Sequence, residues 1–199
     1  SIDANGGGQY LAPGYRYHII VEKDELKMIT KATSQTVTYT GADTKTPAAN
    51  TQNDFSFNGK EDPTTNTTTW TETTHTYGTV KTPVVIGYYA DKAVAGGKTV
   101  TPDAPNATDT VTYKAFGKFI AVDENGNPIP GVSTTAYTND PNDATKMIAI
   151  DKTLPSIPGY TVKVVPATPG DLSSDTKVVY VKNDQKASVV YRDETSGST

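Results

Sequence analysis

Three side chains in the second half of the chain have metal-ligand spacing. Asp123, Asn125 and Asn127 stand two residues apart, like the first ligands of a twelve-residue calcium loop. Such a loop closes on a bidentate glutamate at its twelfth position, and Thr134 stands there instead. The competing reading is a tight hairpin turn, with Asn125-Gly126 taking the positive φ angles of a type I′ connection. Catalytic chemistry finds less. There is no cysteine nucleophile. His18 and His75 fall in strand-like runs, outside any Ser/His/Asp arrangement. No H-E-x-x-H, phosphate loop or G-x-G-x-x-G run occurs. Acidic neighbours such as Asp24 and Glu25 read as solvated rather than as a glycosidase pair. The expectation is no catalytic residue, no cofactor and no enzyme activity.

The elements that must carry any site are strands. Val178, Tyr180 and Lys182 share one face and Val179 and Val181 the other, because strand side chains alternate. Asn183-Asp184-Gln185 joins them to a second alternating run from Ala187 to Arg192, which predicts a β-hairpin. Upstream, Pro158-Gly159-Tyr160 is a turn feeding a β-rich run. The same pattern occurs where Gly87-Tyr88-Tyr89 leads to Thr110–Lys114. It occurs more faintly where Pro13-Gly14-Tyr15 leads to Thr36–Tyr39. The separations Tyr15–Tyr39, Tyr88–Tyr113 and Tyr160–Tyr191 are 24, 25 and 31 residues. One supersecondary unit used repeatedly explains them; chance recurrence in a Thr/Tyr/Val-rich chain is the alternative.

Composition agrees with strands. The 199 residues fit one large or two small domains. Only 35% are hydrophobic, and the enrichment in Thr and Val favours pleated, half-buried surfaces. No amphipathic helical stretch exceeds about three turns. The net charge of −4 without a basic run argues against nucleic acid. No segment approaches a membrane span, and no signal peptide opens the chain. Ser1–Gly8 and Glu194–Thr199 are linker-like, as in a monomeric fragment of a longer protein. Absence of cysteine suits bacterial surface repeats, where an intramolecular Lys–Asn cross-link is a possible substitute for disulfides.

Taken in order, strands are expected at Tyr15–Glu22, Thr33–Thr40, Asn53–Asn58 (Phe55 and Phe57 on one face), Thr67–Thr76 (around Trp70), Thr79–Tyr89 and Thr110–Lys114. Glu22–Ile29 is the best helical segment, and Asp91–Gly97 a loop. Gly117 marks a boundary, after which Lys118–Val122, Pro128–Tyr137 and Lys146–Ile150 are the next short elements.

Together, Asp123-Glu124-Asn125-Gly126, then Leu154-Pro155 with Ile157-Pro158-Gly159-Tyr160-Thr161-Val162, then Lys177-Val178-Val179-Tyr180-Val181, resemble the mucin-binding (MucBP) domain. Residues 80–114, with Gln35–Asn58 and Trp70, resemble the first half of a mucus-binding (MUB) repeat of lactobacilli. The resemblance spans roughly residues 33–193. It implies a mainly β chain of two compact β-grasp, ubiquitin-like (α+β) domains, 1–114 and 115–199, in an elongated tandem. It implies a repeat unit of an extracellular bacterial adhesin, anchored to the cell wall through another part of the parent protein. The implied partner is host mucin glycan, bound weakly per site with avidity from tandem copies. Immunoglobulin binding and a purely structural spacer are the alternatives. Sugar recognition needs aromatic platforms, for which Trp70, Tyr88, Tyr89, Tyr137 and Tyr160 are candidates. Acidic glycans need cations, for which Lys177, Lys182, Lys186 and Arg192 are candidates. Tyr88 and Tyr160 as core plugs, and the cations as a solvated strand face, are the plainer readings.

Overall fold

The structure is a computed structural model describing residues 25–184. Strands make up 44% and helix 4% of the described residues, so the mainly β expectation holds. His18, the Tyr15–Glu22 strand, the faint first Gly-Tyr copy, and the return run with Lys186 and Arg192 lie outside the described residues. The helix expected over Glu22–Ile29 gives way to strand at Lys27–Ala32. Helix propensity in a short charged segment is a weak preference, and sheet pairing overrides it.

Two compact units divide the chain. One joins the described residues up to Lys31 with Phe57–Thr73. Its sheet sets Lys27–Ala32, Ser56–Asp62 and Thr67–Trp70 side by side. Trp70 lies opposite Gly59 and covers the space a side chain there would need. Its indole meets the buried Phe57 ring edge-on at 6.3 Å. Phe55 and Phe57, expected on one face, go to different units. The strand begins only at Ser56, so alternation does not reach Phe55. Phe55 instead stacks on His75 at 3.9 Å, and Tyr77 meets that imidazole edge-on.

The other unit, Ala32–Ser56 with the described residues from Thr74 onward, contains two four-stranded sheets of one design. The first uses β1 (Ser34–Thr40), β2 (Asn50–Gln52), β3 (Tyr88–Ala90) and β4 (Asn106–Ala115), ordered β2-β1-β4-β3. The second uses β5 (Lys118–Val122), β6 (Thr135–Ala136), β7 (Tyr160–Val162) and β8 (Thr176–Lys182), ordered β6-β5-β8-β7. In each, the opening strand runs parallel to the closing one: Ser34–Thr40 along Asn106–Thr112, and Phe119–Val122 along Thr176–Val179. The outer strands pair antiparallel. Alternation sends Val37, Val111 and Tyr113 into one core and Phe119, Val178 and Tyr180 into another. β8 lies between β5, nearly sixty residues earlier in the chain, and the nearer β7.

The recurring Gly-Tyr element is a true structural repeat, and in the second copy Tyr180 holds the place of Tyr113; Tyr191 lies outside the described residues. Tyr88 lies opposite Ala115 and Tyr160 opposite Lys182. Tyr113 and Tyr180 thus hold the same place, two residues before those partners. Tyr113 donates its hydroxyl to the Pro83 carbonyl at 2.6 Å, and Tyr180 donates to that of Pro155. Each proline stands four residues before the glycine of its turn. Burial, reinforced by Tyr39, pushes the Tyr113 hydroxyl up to about 12, so it remains a donor.

The turns match as well. Tyr88 N–H reaches Val85 O at 3.0 Å, and Tyr160 N–H reaches Ile157 O at 3.1 Å. Gly87 and Gly159 have φ of 91° and 80°, the left-handed third position that a type II turn reserves for glycine. The second copy carries Pro158 at the turn's second position, whereas the first carries Ile86, 68% exposed. Ile86→Pro is expected to stabilise the fold by about 0.4–1 kcal/mol, by restricting the unfolded chain. The check is a urea melt. A lowered midpoint would show that Val85 cannot adopt the extended backbone required before proline.

The Asn125-Gly126 connection is not type I′, because only Gly126 has positive φ, 86°. Asp123 explains the difference. Its Oδ1 accepts the N–H groups of Asn125 and Asn127 at 2.9 and 3.0 Å, favouring a turn closed by one left-handed glycine.

The two cores exchange residues. Ala144 packs with Val37, Val85 and Tyr113, while Tyr89 packs against the cluster of Phe116, Phe119 and Tyr180. Asn139, 6% exposed, reaches back from the second half. Its Oδ1 accepts Gly87 N–H at 2.9 Å, and its Nδ2 donates to the Val85 and Tyr88 carbonyls, each at 2.9 Å. One side chain thus satisfies three backbone groups of the first Gly-Tyr turn.

Candidate functional site

The sequence-derived candidates scatter. Tyr137 is 2% exposed, packed edge-on against Phe116 and Phe119 at 6.1 and 4.8 Å. Its hydroxyl donates to Ser174 O and lies beside Thr176 Oγ1. It is core, so it offers no ring face to a sugar. Strand pattern gave no warning, because β6 is only two residues long and ends at Ala136. Tyr88 is half-buried against the first core and donates to Asp43 at 2.8 Å, a bond that raises its pKa. Trp70 is half-buried in the other unit.

Lys177 and Lys182 are both exposed on β8 but point from opposite faces, about 17 Å apart along the strand. Among the described residues no basic patch forms there; Lys186 and Arg192 lie outside them. Asp123 turns one carboxylate oxygen into its own loop, as above. Among the described residues no group of three or more His, Asp or Glu is placed to hold a metal.

Two concave places remain. Tyr160 lines a groove of about 390 Å³ with Asp151, Leu154, Ile157, Val162 and Tyr180. Its lining mixes polar and apolar groups, and it sits beside the second Gly-Tyr turn. The other, about 370 Å³, lies over β3 and β4 and is lined by Tyr89, Asp91, Thr112 and Lys114. Tyr89 was a candidate by sequence; Asp91, Thr112 and Lys114 were not. Their convergence is set by strand register, which brings Lys114 opposite Tyr89 and joins Asp91 N–H to Thr112 O at 3.0 Å. The Tyr89 ring stacks on Phe116 at 5.5 Å and 24°. Its hydroxyl donates to Asp171 at 3.3 Å. The Ser173 hydroxyl and amide, with help from Tyr89, hold the Asp171 carboxyl below its ordinary range.

Beside this groove, on another side of the sheet, Lys92 Nζ meets Asp109 Oδ1 at 2.7 Å. Lys92, then Gly96 N–H on Oδ2 and Thr110 N–H, lower the Asp109 pKa from 3.8 to about 2. The pair is ionic, whereas amide formation requires a neutral amine and an activated acid. An intact mass equal to that of the unmodified chain is expected; a deficit of one water, for a Lys–Asp amide, or of one ammonia, for a Lys–Asn amide, would overturn it. The pH consequence follows from the sign. A depressed folded pKa stabilises above the unfolded value, near 4, and that stability is lost as pH falls towards 2. Asp109→Asn is therefore expected to be about 1–2 kcal/mol less stable than wild type at pH 7, the gap closing between pH 4 and 2. Denaturant melts of both proteins across that range check it; a constant gap refutes it.

Residues 24–117 match the family model of the Muc B2-like domain. No curated protein matches the chain. Among solved structures, a MucBP domain from Lactobacillus acidophilus is 29% identical, covering 46% of this chain and 97% of its own, with a TM-score of 0.34. The mucin-binding domain of a Streptococcus pneumoniae protein is 22% identical, with the same coverage and a TM-score of 0.36. The type 2 repeat of the mucus-binding protein MUB from Lactobacillus reuteri is 30% identical, covering 43% of this chain and 50% of its own, with a TM-score of 0.34. Residues 24–117 are thus similar to the Muc B2-like domain, and the chain is similar to mucus-binding repeats.

Proposed function

We propose that the chain is a repeat unit of an extracellular bacterial adhesin that binds host mucus through mucin glycans. The Muc B2-like match over residues 24–117 carries this reading. The internal duplication supports it: two sheets of one strand order, each with its Pro-x-x-x-Gly-Tyr turn and tyrosine peg. In this reading the halves 1–114 and 115–199 are two β-grasp-like domains, and the parallel first-to-last pairing in each sheet supports that. The module performs no catalysis, and the parent protein anchors it to the cell wall. No helix of the described residues is long and apolar enough to cross a membrane. Single sites are weak, and linked copies raise avidity by ~10²–10⁴.

The test is binding of single and tandem copies to purified mucin, native and deglycosylated. Native mucin is expected to retain the tandem protein far better than the single copy, and deglycosylation to abolish retention. Retention that survives deglycosylation points to a protein partner such as an immunoglobulin. The reading fails if tandem copies bind native mucin no better than an unrelated β protein of equal length.

A further inference from the structure

We propose that the groove over β3 and β4 is a subsite for one neutral pyranose, held by Tyr89, Asp91, Thr112 and Lys114. This deepens the mucus-binding reading and rests on it. The four side chains stand on one face at two levels of one ladder, separated by the Tyr113–Ala90 pair. Lys114 is opposite Tyr89, and Asp91 Oδ1 accepts Thr112 N–H at 3.0 Å. The groove, about 370 Å³, lies at the small end of the ~300–1,000 Å³ range of ligand sites.

Tyr89 is oriented before any ligand arrives. Phe116 supports its ring and Asp171 its hydroxyl, so little freedom remains to be lost on binding. Such a ring takes the C–H face of a sugar. The polar groups around it retain unused capacity. Among the described residues, Lys114 Nζ and Thr112 Oγ1 have no hydrogen-bond or ion-pair partner, and Asp91 uses only Oδ1. A carboxylate only accepts, an ammonium only donates, and a hydroxyl does both. Adjacent sugar hydroxyls, each donor and acceptor, complement that set. An acidic sugar gains Lys114 but meets the Asp91 carboxylate, so the balanced pair selects a neutral ring.

The experiment titrates the chain with methyl galactoside, lactose and sialyllactose, following the amide signals of Tyr89–Asp91 and Thr112–Lys114 by NMR. Both neutral sugars are expected to shift these amides, and sialyllactose to bind no more tightly than lactose. Lys114→Ser, at an exposed position, is expected to weaken lactose about tenfold, and Tyr89→Ala to abolish the shifts. Lys60→Ser, at an exposed strand position of the other unit, is the unaffected control. If wild type and Lys114→Ser bind lactose equally, the subsite is wrong and the adhesin reading stands. A response to sialyllactose alone overturns the neutral class. Sugar shifts without any mucin binding leave the subsite standing and refute the adhesin reading.

Discussion

Asn139→Ala is expected to destabilise the larger unit by about 2–4 kcal/mol, among the largest effects of a single polar substitution in this chain. Gly87 N–H and Tyr88 O lose their partner at once, and Val85 O is left with the Tyr88 N–H alone. The site is 6% exposed, so water does not replace the amide freely, and each orphaned group carries its desolvation cost. For a chain of this size the melting temperature is expected to fall by roughly 4–16 °C. Asn139→Asp sharpens the test. It keeps one acceptor for Gly87 but sets an oxygen against two carbonyl oxygens, so near neutral pH it is expected to be at least as damaging as alanine. A variant melting within about 2 °C of wild type would mean that the first Gly-Tyr turn is held by its own contacts, not by Asn139.

Gly117→Ala is the second large effect. A Cβ at Gly117 would sit 2.1 Å from the Ser174 carbonyl oxygen and 2.5 Å from its carbon. Both are backbone, so no side-chain rotation relieves the overlap. The approach is fixed from several directions. Gly117 N–H donates to Leu172 O at 2.8 Å, Tyr137 N–H donates to Gly117 O at 3.2 Å, and the Tyr137 hydroxyl donates to Ser174 O. Relief requires moving the 172–174 segment away from the start of β5, which loosens the parallel pairing of Phe119 with Thr176. The expected cost is about 3 kcal/mol, at the upper end for overpacking. Denaturant melts read the loss. Near-ultraviolet circular dichroism should also change, because Tyr137 and Phe119 pack there. Unchanged stability would show that Ser174 yields without penalty.

These two positions show where sequence reading stops. Gly117 is legible as a boundary, because a glycine between two strand-like runs signals a break. Its actual constraint is the close passage of a segment more than fifty residues later, which no local pattern contains. Asn139, in a run of turn formers, looks like one more turn residue. Only the folded chain shows its amide buried on another turn. Tyr137 fails for the same reason: a tyrosine in a weak strand looks like surface until Phe116 and Phe119 close over it. The sequence pattern pairs Tyr160 with Tyr191, which lies outside the described residues; within them, register gives Tyr180 the place that Tyr113 holds in the first copy.

By itself the amino-acid sequence determined the mainly β class, the alternating faces of β1, β4, β5 and β8, and the reuse of the Pro-x-x-x-Gly-Tyr element. Those depend on local physics: side-chain period along a strand, β-branched residues, and a glycine at positive φ. Only the tertiary structure decided which strands became neighbours, which tyrosines were pegs and which could face a ligand, and that Asp91, Thr112 and Lys114 join Tyr89. Parallel pairing links residues about seventy positions apart in the first sheet. Such a contact is chosen by the whole core it closes, and the few residues on either side of each strand do not encode it.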